Sequence, residues 1–144
     1  MARTIRKIPP GTIVRLGGMT DCFQPAERQY RATYAAIREL NRQGVGYLIV
    51  TKSALVAENQ YLEVMDRRLA HIQVSVTTTD ATVSRRYERA SLPEQKIRTI
   101  EKLQEHGFDV SVRLSPFIPE FIDFARLNAI RCDKMLVEFL RVNT

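Results

Sequence analysis

Short β-rich runs, always separated by stretches with helical spacing and never by hairpin-length turns, constrain this chain more than any other feature of its sequence. The runs are Thr12–Gly17, Tyr47–Thr51, Ile72–Thr77, Val110–Ser115 and Lys134–Leu140. Between them, Tyr30, Tyr34, Ile37 and Leu40 recur at intervals near 3.6 and share one helix face. Tyr61, Leu62, Met65 and Leu69 do the same in a shorter helix, and Ile97, Ile100 and Leu103 stripe a third. Strand, helix, strand repeated along a chain implies parallel strands joined by right-handed crossovers. The expected fold is therefore α/β: a partial (β/α) barrel of five parallel strands with helical crossovers. It forms a single domain over residues 1–144, with residues 1–10, ending in Pro9-Pro10, as a lead-in.

Local punctuation sets the expected helix ends. Pro25 suits the first helical position, where a missing N–H costs nothing, and Glu27 falls in the first turn, near the positive end of the dipole. Gly44 suits a left-handed cap, and Ser91-Leu92-Pro93-Glu94 has the spacing of a capping box. His106-Gly107 closes the third helix, which makes His106 a helix-terminal residue rather than a base. His71, just ahead of a strand, has no evident partner.

Alternation within the strands says what their second face meets. Ile72, Val74 and Val76 oppose Gln73, Ser75 and Thr77; Val110, Val112 and Leu114 oppose Ser111, Arg113 and Ser115; Glu138 stands among apolar neighbours. A sheet covered by helices on both sides reads as continuous hydrophobic runs. One apolar and one polar face instead fit helices outside and a polar barrel interior, open to water or ligand. A simply solvated second face is the plainer alternative.

Ligands in parallel α/β folds gather at the carboxyl ends of the strands. Those ends carry Gly17-Gly18-Met19-Thr20-Asp21-Cys22-Phe23-Gln24-Pro25, Thr51-Lys52-Ser53, Ser75-Val76-Thr77-Thr78-Thr79-Asp80 and Ser115-Pro116-Phe117-Ile118-Pro119. Each has a structural reading: Gly17-Gly18 a tight turn, Asp21 and Asp80 caps, Lys52 a solvated loop lysine. Four polar ends together favour a shared site.

Composition narrows the classes. The net charge of +6 and pI of 9.7 suit a polyanion partner. The densest basic group, Arg85, Arg86, Arg89, Lys96 and Arg98, is interrupted by Glu88 and Glu94 and reads as a solvated helix face. Cys22 and Cys132 stand too far apart in sequence for a metal knuckle or a disulfide framework, so no metal ligands are assigned. No apolar run approaches the roughly 20 residues of a membrane span, and no apolar core follows the basic N-terminus, so the expected location is cytoplasmic.

The blocks Thr20-Asp21-Cys22-Phe23-Gln24-Pro25, Val50-Thr51-Lys52-Ser53, Val74-Ser75-Val76-Thr77-Thr78, Tyr87-Glu88-Arg89-Ala90 and Ser115-Pro116-Phe117-Ile118-Pro119 resemble, in that order, the blocks of radical S-adenosylmethionine proteins. The group most resembled is that of spore photoproduct lyase, over Gly17 to Val142. The resemblance implies a partial barrel whose strand ends cradle S-adenosylmethionine beside a 4Fe-4S cluster. By that likeness, Thr20, with Asp21 and Gln24 beside it, stands near the cofactor's amino and carboxylate groups. Lys52 and Ser75 resemble its lysine and serine contacts, and Thr77 and Ser115 take strand-end positions around it. The chain departs from the family in lacking CxxxCxxC, in carrying Arg89 where relatives often have proline, and in carrying Glu120 where they often have glycine.

The expectation is thus a radical enzyme's barrel fragment, lyase-like if completed by an N-terminal cluster-bearing segment and inactive without one. That segment or a second copy of the chain is its expected partner. A basic module binding nucleic acid or another polyanion is the alternative. A barrel enzyme acting on a phosphate substrate would need Asp21 or Glu138 as a base, with its pKa raised by burial.

Overall fold

In a computed structural model that describes residues 1–139, the five β-rich runs form one parallel sheet. Its strands are β1 Ile13–Leu16, β2 Gly46–Thr51, β3 Ala70–Ser75, β4 Asp109–Phe117 and β5 Met135–Phe139. They lie side by side in chain order, and every neighbouring pair is parallel. A doubly wound sheet reverses its strand order at a switch point. An order that never reverses is that of a barrel wall, and the chain has the expected α/β class with helical crossovers.

The crossovers carry α2 Glu27–Tyr30 and α3 Ala32–Arg42, then a 3-10 turn at Ala54–Ala57 and α4 Asn59–Val64, then α5 Ala81–Tyr87 and α6 Pro93–Glu105, and last α7 Phe124–Asn128. Ahead of β1, the short α1 Ala2–Ile5 buries Ile5 in the core, so the lead-in is part of the packed domain. Alternation decides the layers. Tyr47 and Ile49, Ala70, Ile72 and Val74, and Val110, Val112 and Leu114 are all buried, with Ile37, Leu40, Ile97, Ile100 and Leu103 of the helices in the same core. Burying each large aliphatic side chain contributes about 1.5–3 kcal/mol. The intervening residues, among them Leu48, Val50, Gln73, Ser111, Arg113 and Ser115, are only half-buried on the opposite face.

Over β3, β4 and β5 that second face is polar and linked, while β2 adds Leu48 and Val50. Arg113 donates to Gln73 Oε1 at 2.8 Å and to Glu138 Oε2 at 2.7 Å, and Ser115 donates to the same oxygen at 2.6 Å. The Ser115 hydrogen bond holds the Glu138 carboxyl below its ordinary value against some loss of solvation, with Arg113 and then Arg15 adding to the effect. Arg15, on β1, adds least among these influences. A base at Glu138 would need the opposite shift.

Several helix ends differ from expectation. Pro25 lies in a turn, and the first helix begins at Glu27. The stripe from Tyr30 to Leu40 is broken at Arg31, whose φ of 51° ends α2 and starts α3, leaving Tyr30 72% exposed. The break is held by Glu27, whose buried carboxylate accepts from the N–H groups of Thr33 and Tyr34 in the first turn of α3 and from the Tyr61 hydroxyl. Leu69 falls outside α4. At α6 the expected box shifts by one residue: Gln95 accepts from Leu92 N–H, while Ser91 accepts from Ala54 N–H and Glu94 pairs with Arg126. β3 begins at Ala70 and ends at Ser75, which leaves Thr77 beyond the ladder. Leu140, expected to end β5, and Val142, where the family resemblance ends, lie outside the described residues.

Candidate functional site

The loop after β1 makes the first half of the site because it can approach β2 closely. A Cβ on Gly17 would lie 2.5 Å from Val50 O, and Gly17 has φ +86°, so glycine is required on both counts. The approach brings Asp21 over the end of β2. Its carboxylate accepts from Thr51 Oγ1 at 2.8 and 2.9 Å, from Lys52 N–H at 2.7 Å and from Phe23 N–H at 2.9 Å. Asp21 thus ties the β1 loop to the β2 end. With these donors around it, it acts as a structural anchor and not as a free base.

Lys52 continues the site. Its side chain is 41% exposed and Nζ donates to Glu88 Oε1 at 2.8 Å. The other oxygen of Glu88 accepts from Lys96 Nζ at 2.8 Å, and Thr77 Oγ1 donates to Oε1 at 2.5 Å. Lys96 is 1% exposed. Burial alone would raise the Glu88 carboxyl; the bonds from Lys52, Lys96 and Thr77 outweigh it and hold the group down at about 2. Burial pulls Lys96 down from the usual lysine range, against the stabilising Glu88 carboxylate. One carboxylate shared by two ammonium groups leaves a net positive unit, of which Lys52 is the most exposed charged member.

Two hollows meet at Asp21 and Lys52. The first, of about 200 Å³, is lined by Gly17, Met19, Thr20, Asp21, Val50, Thr51, Lys52 and Ser75. Val50 and Ser75 belong to the second face of the sheet, so this hollow opens on that face. Ser75 is buried for the most part, and its hydroxyl, which has no hydrogen-bond partner among the described residues, keeps some accessible surface. The second hollow, of about 360 Å³, lies among the loops after β1, β2 and α5, and is lined in part by Gln24, Lys52, Ser53, Arg89 and Ser91.

The structure therefore brings Thr20, Asp21, Lys52 and Ser75 around one hollow, and Asp21, Gln24 and Lys52 around the next. Thr77 joins through Glu88. Ser115 lines neither hollow and is engaged with Glu138 on the open face. Asp80 caps α5, accepting from Thr82 and Val83 N–H. Cys22 follows β1, and burial pushes its thiol up to about 12. Cys132 lies at the other end of the sheet, with its Sγ 3.4 Å from Val110 O near the start of β4. Thiols at opposite ends of one sheet cannot meet on a cluster, and among the described residues no group of three His, Cys, Asp or Glu converges as metal ligands do.

The role of Glu88 as a hub and the burial of Lys96 are the features that sequence reasoning missed. The sequence puts Lys96 in a basic group that reads as a solvated face, yet it is buried together with Pro93, Ile97, Ile100 and Leu103, at helical spacing from them. That spacing was the available signal. Its burial also breaks the basic group: Arg85, Arg86, Arg89 and Arg98 stay exposed, but no stripe runs through Lys96.

Compared with family models, curated proteins and solved structures, the chain has no match in any of the three. No helix among the described residues is long and apolar enough to cross a membrane.

Proposed function

We propose that this chain is the part of a radical S-adenosylmethionine-type barrel that cradles the cofactor at its strand ends. The observation that carries the reading is the convergence of Lys52, Thr20 and the unpartnered Ser75 hydroxyl on one hollow at the carboxyl ends of β1, β2 and β3. Lys52 has N–H groups to spare beyond its bond to Glu88 and would meet the cofactor's carboxylate. Ser75 would meet a ribose or carboxylate oxygen, and Thr20 the amino-acid end. At about 200 Å³ the hollow is smaller than the roughly 300–1,000 Å³ of complete small-molecule sites, so it takes one end of the ligand, and the rest lies over the open polar face.

The fit is confined to the organic cofactor. S-adenosylmethionine supplies an activated carbon–sulfur bond at its sulfonium. The thiols of the described residues do not fit a 4Fe-4S cluster, so no radical step is assigned to them. What these residues do is bind and orient: Asp21 fixes the loop, Glu88 holds Lys52, and Gly17 lets the loop close against β2.

Titration calorimetry with S-adenosylmethionine tests the reading. Saturable binding by the chain, weakened at least tenfold by Lys52→Met and by Ser75→Val, is expected. No heat from the unaltered chain, or equal binding by all three proteins, rejects it.

A further inference from the structure

The second hollow carries a different signature from the first: the charged groups free to bind there are donors. Arg89 lines it, and among the described residues its guanidinium has neither an ion pair nor a hydrogen-bond partner. Ser53 Oγ accepts from Leu55 N–H and Ser91 Oγ accepts from Ala54 N–H, so each hydroxyl has an acceptor role already filled and its proton left to give. Lys52 spends one N–H on Glu88 and keeps the others. The Gln24 amide is exposed and makes no hydrogen bond among the described residues. The one carboxylate in the lining, Asp21, is filled by Thr51, Lys52 N–H and Phe23 N–H. The missing partner is an acceptor with several oxygens.

We propose that this hollow is a subsite for an oxyanion, the phosphate or carboxylate group of a small molecule, bound by Arg89 with Lys52, Ser53 and Ser91. The planar guanidinium offers two parallel N–H donors to such a group, while the ammonium and the hydroxyls add single ones. Charge agrees, since Lys52, Lys96 and Arg89 outnumber the Glu88 and Asp21 carboxylates, and Arg89 has no counter-ion among the described residues. A volume of about 360 Å³ exceeds that of a bare anion and lies within the range of sites for whole small molecules, so the group arrives on a larger ligand such as a phosphate ester. The inference goes beyond the cofactor reading and rests on residues that the first hollow, apart from Lys52 and Asp21, does not use.

The test is a backbone-amide NMR titration with pyrophosphate in one arm and malonate in the other, at fixed ionic strength. Saturable shifts at Ser53, Arg89, Ala90 and Ser91 are expected in at least one arm, and the stronger arm identifies phosphate or carboxylate as the preferred group. Arg89→Gln should weaken that binding at least tenfold, and Arg85→Gln, which changes an exposed arginine of α5 outside the hollow, by less than twofold. Linear, unsaturable shifts in both arms, or equal losses in the two variants, overturn the subsite, because either result means general attraction to a basic protein. S-adenosylmethionine binding is measured in parallel. If it is absent while pyrophosphate saturates, the cofactor reading fails and the subsite stands; the reverse pattern removes only the subsite.

Discussion

The two ends of this sheet use the same device in different surroundings. At the carboxyl end Glu88 is shared by Lys52 and Lys96; at the amino end Asp109 is shared by His71, with Nδ1 at 2.6 Å, and Lys134. Around Glu88, side-chain exposure is 9% for the carboxylate and 1% for Lys96. Around Asp109, the three side chains are 35%, 39% and 61% exposed. Solvent screens the second cluster, so its geometry contributes little. In the first, the Glu88–Lys96 pair is cut off from water, so these two depend on one another, while Lys52 reaches solvent. At this end Lys52 is the exposed charge of the unit, and it lines both hollows.

The largest effect expected is from Glu88→Gln. It leaves Lys96 buried without a counter-charge and should cost about 3–5 kcal/mol in urea unfolding. A double variant, Glu88→Leu with Lys96→Met, should recover most of that loss while weakening ligand binding, which would separate presentation from stability. Recovery of both would break the comparison.

Acid sharpens the contrast next. Glu88 has its folded-state pKa lowered from 4.5 to about 2, so between those values the unfolded chain binds the proton more readily. Its contribution is therefore complete above pH 4.5 and is lost as pH falls towards 2, on the order of 3 kcal/mol. The acid slope of stability, followed by urea unfolding at several pH values, should flatten in the double variant.

Asp109→Asn should cost less than about 1 kcal/mol, because its partners stay solvated when it is neutralised. The Lys134 hydrogen bond and then His71 hold the Asp109 carboxyl down, so this small contribution too fades as pH falls through the carboxylate range. The smallest effect is that of salt. Raising it to about 1 M shortens screening to about 3 Å and should erase the Asp109 contribution while leaving that of Glu88 nearly intact, as a double-mutant cycle at two salt concentrations would show.

How much of this was legible follows the same divide. The parallel sheet was readable because period-two strands and period-3.6 helices alternate without hairpins, and the packing of Ile72, Val74, Val110 and Val112 needs only that periodicity. The polar second face was readable from Gln73, Ser111, Arg113 and Glu138, although not the links among them, which join three strands distant in sequence. Helix ends were less legible: Arg31 in the left-handed region and the Glu27 carboxylate capping a helix five residues on follow from tertiary contacts with Tyr61 that no local window contains. At the site, Asp21, Lys52 and Ser75 stood out as polar strand ends. Glu88 and Lys96 looked like surface charges, because burial of a charge depends on a partner 36 residues from Lys52 and 8 from Lys96.

The central claim is that the carboxyl end, and not the amino end, is built to hold a ligand. Backbone-amide NMR of the chain during addition of S-adenosylmethionine tests it most directly. The account predicts saturable shifts at Gly17, Thr20, Lys52 and Ser75, with His71 and Asp109 unmoved. Shifts centred on His71 and Asp109, or none at the strand ends at saturating cofactor, would contradict it.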